Sequence, residues 1–173
     1  VRIVSRQEAM AVLDIERQRV GHDCVMCGLA HAAFDPHLVI AENDHAVLRL
    51  NVLGSRPADM LAVLREHITS VAALTAAQYQ GMHALAFVAA RALERHRGAL
   101  RVYIAQLGAP EPLAMSYPHV HLHVVPIYHG GEADKPARVL SWSHGVVSYE
   151  ADEARALAHE LRALVTREQQ AAP

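Results

Sequence analysis

Three histidines stand at alternate positions in the stretch Tyr117-Pro118-His119-Val120-His121-Leu122-His123-Val124-Val125-Pro126. Successive side chains of a strand point to opposite faces. His119, His121 and His123 would therefore share one face, and Val120, Leu122 and Val124 the other. Along that face imidazoles recur about every 6–7 Å. Two chemistries suit such a row. Neighbouring neutral imidazoles can chelate a metal ion. Alternatively, one imidazole can be a nucleophile while the others orient it and bind an anionic group. Phosphorus is the natural electrophile for the second chemistry. An imidazole nitrogen attacks the α-phosphorus of a nucleotide to give a phosphoramidate, which water or another acceptor then opens.

A second candidate is the pair Cys24 and Cys27, the only cysteines, spaced C-x-x-C. Two cysteines make no disulfide framework. The pair reads as half of a metal site or as a redox dithiol, although no thioredoxin-like βαβ pattern surrounds it.

The elements that must position these residues belong to an ordinary globular chain. It has 173 residues, 52% of them hydrophobic and 20% charged, which excludes a disordered chain and suits a single domain spanning 1–173. Lys and Arg number 16 against 18 Asp and Glu, for a net charge of -2. That balance gives no bulk electrostatic case for nucleic acid or an anionic membrane. No apolar run approaches the length of a membrane span, and no Lys/Arg-led apolar stretch opens the sequence. The expectation is a cytoplasmic, reduced protein. Thirteen histidines are the compositional excess.

Ser5 and Glu8 have the spacing of a capping box ahead of a helix carrying Ala9, Val12, Leu13 and Ile15, which Gly21 would end. Cys24 and Cys27 would lie in a tight connection. Residues 38–41 and 46–50 read as a hairpin around Asn43-Asp44, and 51–57 as a loop. Residues 60–64 make a third strand. Thr75 would cap a long helix with Leu85, Val88, Ala89, Ala92 and Leu93 on one face, closed by Gly98. Residues 100–107 and 120–125 are strands separated by a loop over 108–116. Residues 142–149 read as irregular or weakly extended. Residues 152–167 form a last helix with Leu157, Leu161 and Leu164 aligned. This order predicts an α+β fold with an antiparallel sheet.

The run from His119 to Val125 resembles the histidine triad (HIT) signature: three histidines separated by single apolar residues, then two apolar residues. The resemblance extends over about residues 20–128, through Cys24-x-x-Cys27, the stretch from Ala46 to Asn51, the segment from Pro57 to Ile68, and the long helix. Residues 129–173 would be a C-terminal extension. The resemblance implies a HIT-like α+β fold with an antiparallel sheet, a long central helix and N- and C-terminal helices. It further implies a nucleotide hydrolase or transferase, usually a homodimer, working on the α-phosphate of a phosphoramidate, phosphoanhydride or dinucleoside polyphosphate.

By the same resemblance His121 is the nucleophile, and His123 contacts the scissile phosphate or bridging oxygen. Ser116 would contact phosphate or assist the leaving group, and Asn51 would meet the ribose. Cys24, Cys27, His67 and His119 would hold a structural zinc, a closed set of two thiolates and two imidazoles. There are departures. Pro57-Ala58-Asp59 stands where the family commonly has Pro-Gly-His, so Asp59 replaces a further active-site histidine. It would either repel a phosphate or orient an imidazole. Met115 replaces a common phosphate-binding Gln, and Leu64 a common Pro. The other nine histidines read as structural or solvent-exposed. Trp142, His144 and Tyr149 read as ordinary packing and surface, with a pocket or dimer interface as the alternative. Two rival readings stand beside the enzyme: a non-catalytic nucleotide-binding protein with weakened phosphate chemistry, and a metalloenzyme whose triad holds the ion.

Overall fold

A five-stranded antiparallel sheet carries the histidine run. The computed structural model describes residues 1–20, 24–31, 33–108 and 117–171. The strands of this sheet are β2 (Val39–Glu42), β3 (Ala46–Leu50), β5 (Met60–Leu64), β6 (Arg101–Gln106) and β7 (His121–Ile127). Their spatial order is β2-β3-β5-β7-β6. The β2/β3 hairpin turns on Asn43, whose Oδ1 accepts from the backbone N–H groups of His45 and Ala46. All five residues of β3 and all five of β5 are buried. Both faces of these central strands are covered, which is why their sequences are almost wholly apolar instead of alternating.

On one face Leu48, Leu50, Met60, Ala62, Leu64, Leu122 and Val124 form the main core with helices α3 (Ala76–His96) and α5 (Ala151–Gln170). Thr75 and Gln78 make the reciprocal capping box at the start of α3. The two helices are clamped by buried Glu168, which accepts from Arg91 Nε at 2.7 Å, Arg95 at 3.1 Å and His96 Nε2 at 2.9 Å.

The opposite face is covered by shorter pieces. Helix α2 (Val25–Ala30) sets Met26 and Ala30 on Leu61 and Val63. Helix α4 (Pro136–Leu140) sets Val139 on Val125 and Ile127 of β7. A second antiparallel sheet, β1-β8-β4, joins β1 (Arg2–Val4), β8 (Val146–Ser148) and β4 (Leu53–Gly54). Helix α1 (Arg6–Val20) packs Ala9 and Leu13 against Leu53, Val146 and Trp142. Its start is the Ser5/Glu8 box, with both bonds present.

Two local expectations need correction. The C-x-x-C segment is not a tight connection: Cys24 precedes and Cys27 lies within helix α2, which is seated on β5. Residues 51–57 are not all loop: they contain β4, which pairs with β8 in the weakly extended stretch 142–149. Gly21 and most of the 108–116 loop lie outside the described residues. Among those described, no helix is long and apolar enough to cross a membrane.

Candidate functional site

Strand β7 begins at His121, and His119 occupies the bend before it. Val63 faces His121 across the sheet, and Leu61 faces His123. Leu61 also pairs with Arg49 of β3, so Arg49 shares the triad's face. His121 is 2% exposed, and its Nδ1 lies 2.7 Å from the His119 carbonyl oxygen. A carbonyl only accepts, so Nδ1 carries the hydrogen. In the neutral ring Nε2 is then left with its lone pair. Burial lowers the pKa of His121 and so favours that neutral form. The His123 ring lies 5.1 Å away, edge-on at 61°. Burial, and then the neighbouring His121, push its pKa to about 3. Gly108 matters here because a Cβ on it would stand 2.4 Å from the same His119 oxygen. Only glycine lets the chain lie against that carbonyl.

His121, His123 and Asn51 line one cavity of about 590 Å³. Its remaining wall is mostly apolar, with Met26 and Leu29 from α2, Met10 and Leu13 from α1, and Trp142 and Tyr149 from the C-terminal segment. Asn51 is held by its own neighbours: its Oδ1 accepts from Leu53 N–H at 3.3 Å and its N–H donates to the Asp59 carbonyl at 2.9 Å. Arg49, almost fully buried, donates to the carbonyls of Leu29 at 2.8 Å and Asp35 at 3.2 Å. Burial lowers its pKa to about 10 against the pull of Asp35. Trp142 and Tyr149 thus line the cavity and are not ordinary packing alone. Their spacing carried no periodic signal. The strand β8 and a hydrogen bond from Ala58 N–H to the Tyr149 hydroxyl, 3.0 Å long, bring that segment in. Ser116 and Met115 lie outside the described residues.

Asp59 does neither thing the sequence suggested. It is fully buried beside Gly54 and Ser55 and does not line the cavity. Ser55 N–H donates to its Oδ2 at 2.8 Å, while Oδ1 has no partner of hydrogen-bonding geometry. Burial raises its pKa from 3.8 to about 7, against the opposing pull of the Ser55 N–H, Asn51 and Arg56. The sign follows from linkage. Between pH 3.8 and about 7 the unfolded chain has lost this proton and the folded chain keeps it, so stability falls as pH rises across that window. Above it the full penalty persists. Asp59→Asn should therefore raise stability at pH 8 by on the order of 2–4 kcal/mol and flatten the pH dependence. Denaturant melts of both proteins from pH 4 to 8 test this, and parallel curves would refute it.

The other end of the triad belongs to a metal centre. One ligand atom from each of Cys24, Cys27, His67 and His119 lies within 4.8 Å of the other three. Cys24 and Cys27 Sγ are each 3.5 Å from His119 Nδ1, and Cys27 Sγ is 3.2 Å from His67 Nδ1. Zinc bonds of about 2.0–2.3 Å at tetrahedral angles require donor separations of about 3.3–3.8 Å, close to those observed. His119 Nε2 lies 2.9 Å from the Leu64 carbonyl, which fixes Nε2–H and turns the Nδ1 lone pair toward the thiols. The donor set is that of a closed, structural Zn²⁺ site. His119 is thereby committed, and the three imidazoles do not converge on one ion. Among the described residues these four are the only such group of His, Cys, Asp or Glu.

Residues 23–138 match the model of the family described as scavenger mRNA decapping enzyme C-term binding. The chain belongs to this histidine triad family. Solved HIT structures show the same fold. A Zn-bound histidine triad family protein from Mycobacterium smegmatis superposes with a TM-score of 0.65 at 21% identity, covering 87% of this chain and 98% of that one. A Hit-like protein involved in cell-cycle regulation from Bartonella henselae gives 0.64 at 13%, covering 82% and 96%. The Plasmodium falciparum diadenosine triphosphate hydrolase gives 0.60 at 12%, covering 78% and 80%. No curated protein sequence matches this HIT chain.

Proposed function

We propose that this HIT protein hydrolyses or transfers a nucleotidyl group through a covalent nucleotidyl-histidine on His121. The observation that carries the reading is the Nδ1 hydrogen bond to the His119 carbonyl, which leaves Nε2 as a neutral lone pair on the wall of a nucleotide-sized cavity. His121 Nε2 attacks the α-phosphorus. A P–N bond forms, and the bond to the leaving group breaks, its electron pair departing with that group. His123 contacts the phosphoryl or bridging oxygen, and Asn51 the ribose. Ser116 completes the phosphate contacts. Water or a second acceptor then attacks phosphorus, the P–N bond breaks, and its electron pair returns to Nε2 as the acceptor gives up a proton. Zinc at Cys24, Cys27, His67 and His119 supplies a cross-link that holds α2 beside the cavity.

The diadenosine triphosphate hydrolase and a uridylyltransferase among the neighbours of this fold support nucleotide chemistry. The burial of Asp59 away from the cavity removes the charge repulsion that favoured a non-catalytic binder. Mixing the protein with nucleoside phosphoramidates and dinucleoside polyphosphates, quenching without acid, should leave a nucleotide mass on the peptide containing His121. Turnover with no adduct would refute the mechanism.

We also propose that the whole chain acts as one domain and pairs as a homodimer. β6 is an edge strand, and Ile104 on it and Phe87 on α3 are 44% and 55% exposed. Sedimentation equilibrium giving a monomer would remove the dimer.

A further inference from the structure

Trp142 is the only tryptophan of the chain, and it stands in the left-handed backbone region at φ 56°. An L side chain adopts that conformation at a cost, and such residues concentrate where a site needs a side chain aimed. The surroundings fix it. Gly145 N–H donates to the Trp142 carbonyl at 3.1 Å, closing a short turn between α4 and β8. Helix α4 is seated through Val139 on Val125 and Ile127. These two residues lie on the same face of β7 as His121 and His123. The strand that carries the nucleophile therefore also carries the platform from which Trp142 reaches the cavity. Trp142 is also braced on the small cluster of Ala9, Leu53 and Val146, of which Leu53 shares the cavity wall with it.

The cavity wall is mainly apolar, and of its polar side chains Arg49, Asn51 and Asp35 are bonded within the fold while Arg6 and Glu16 stand on α1. What the indole offers is a large, braced aromatic surface. We propose that Trp142 is a specificity-determining residue on which the nucleobase of the transferred nucleotide stacks. The inference rests on the nucleotide reading above and adds to it which part of the substrate the C-terminal extension recognises. Stacking is tolerant of base identity, because every base has a π-face. The pocket should therefore discriminate strongly between a nucleotide and its base-free counterpart.

A single tryptophan makes this directly measurable. Wild-type protein is titrated with AMP, GMP, CMP, UMP and ribose 5-phosphate, following intrinsic fluorescence and, in parallel, heat. At least one nucleotide should bind and quench the emission, and ribose 5-phosphate should not quench it. Trp142→Leu should weaken that nucleotide by roughly 10- to 100-fold while leaving ribose 5-phosphate binding unchanged, and Trp142→Phe should retain most of the affinity. If nucleotides bind without quenching, or Trp142→Leu weakens both ligands equally, Trp142 is only a packing residue and the proposal fails while the nucleotide reading stands. If none of the four nucleotides binds the wild-type protein, both fail.

Discussion

Replacing Cys24 with serine is expected to empty the metal site and lower the melting temperature by roughly 6–20 °C. The four ligands come from three separate segments: the α2 turn, the stretch after β5, and the bend before β7. Zinc binding supplies ~10–16 kcal/mol in small peptides that fold only around the metal. Here the main core lies on the far face of the sheet and is built without the ligands. The metal holds only the small α2 cluster of Met26, Ala30, Leu61 and Val63 more firmly. A loss of about 3–5 kcal/mol follows, at ~2–4 °C per kcal/mol for a chain of this size. Chelation of the wild-type protein should reproduce the shift. Elemental analysis and scanning calorimetry read the two quantities together. Stoichiometric zinc in Cys24→Ser, or an unchanged melting temperature, would contradict the assignment.

The second large effect is kinetic. His121→Ala should reduce kcat by on the order of 10⁴-fold or more on any substrate that labels the wild-type histidine. Removing a covalent nucleophile takes away the whole two-step route, and what survives is only positioning of substrate and water. His123→Ala should cost less, about 10²–10³-fold, because it removes one contact to developing charge and leaves the P–N bond able to form. Both rings border the cavity, so a melting curve of each variant alongside the kinetics separates lost chemistry from lost fold. Steady-state and single-turnover kinetics separate the two variants. Turnover by His121→Ala within ten-fold of wild type would mean that another group attacks phosphorus.

The site was legible in the sequence where one strand imposed it. Alternation along β7 requires His121 and His123 on one face and Leu122 and Val124 on the other, and the structure has them so. The continuous apolar runs of β3 and β5 and the Thr75 and Ser5 caps were equally readable, because each is a local rule. The second sheet was not. Its strands are two or three residues long, too short for a period of two to register, and it joins Arg2 to Ser148 and Leu53 to Ser148. Such pairings leave no local mark. For that reason the sequence offers the wall position of Trp142 and Tyr149 only as an alternative to ordinary packing. Asp59 was misplaced because a resemblance supplies a position and not a direction. The tight approach of Gly54, where a Cβ would stand 2.5 Å from that of Asp59, belongs to tertiary packing.

His119 serves two masters through different atoms. Its ring nitrogen faces the thiols, while its carbonyl oxygen accepts the hydrogen on His121 Nδ1. The ring is a property of histidine, but the carbonyl is a property of any residue at that position. The two obligations can therefore be inherited separately. A lineage that drifts at position 119, or discards its cysteines, forfeits metal and robustness yet still passes on an acceptor for His121, whereas drift at position 121 forfeits the nucleophile we propose.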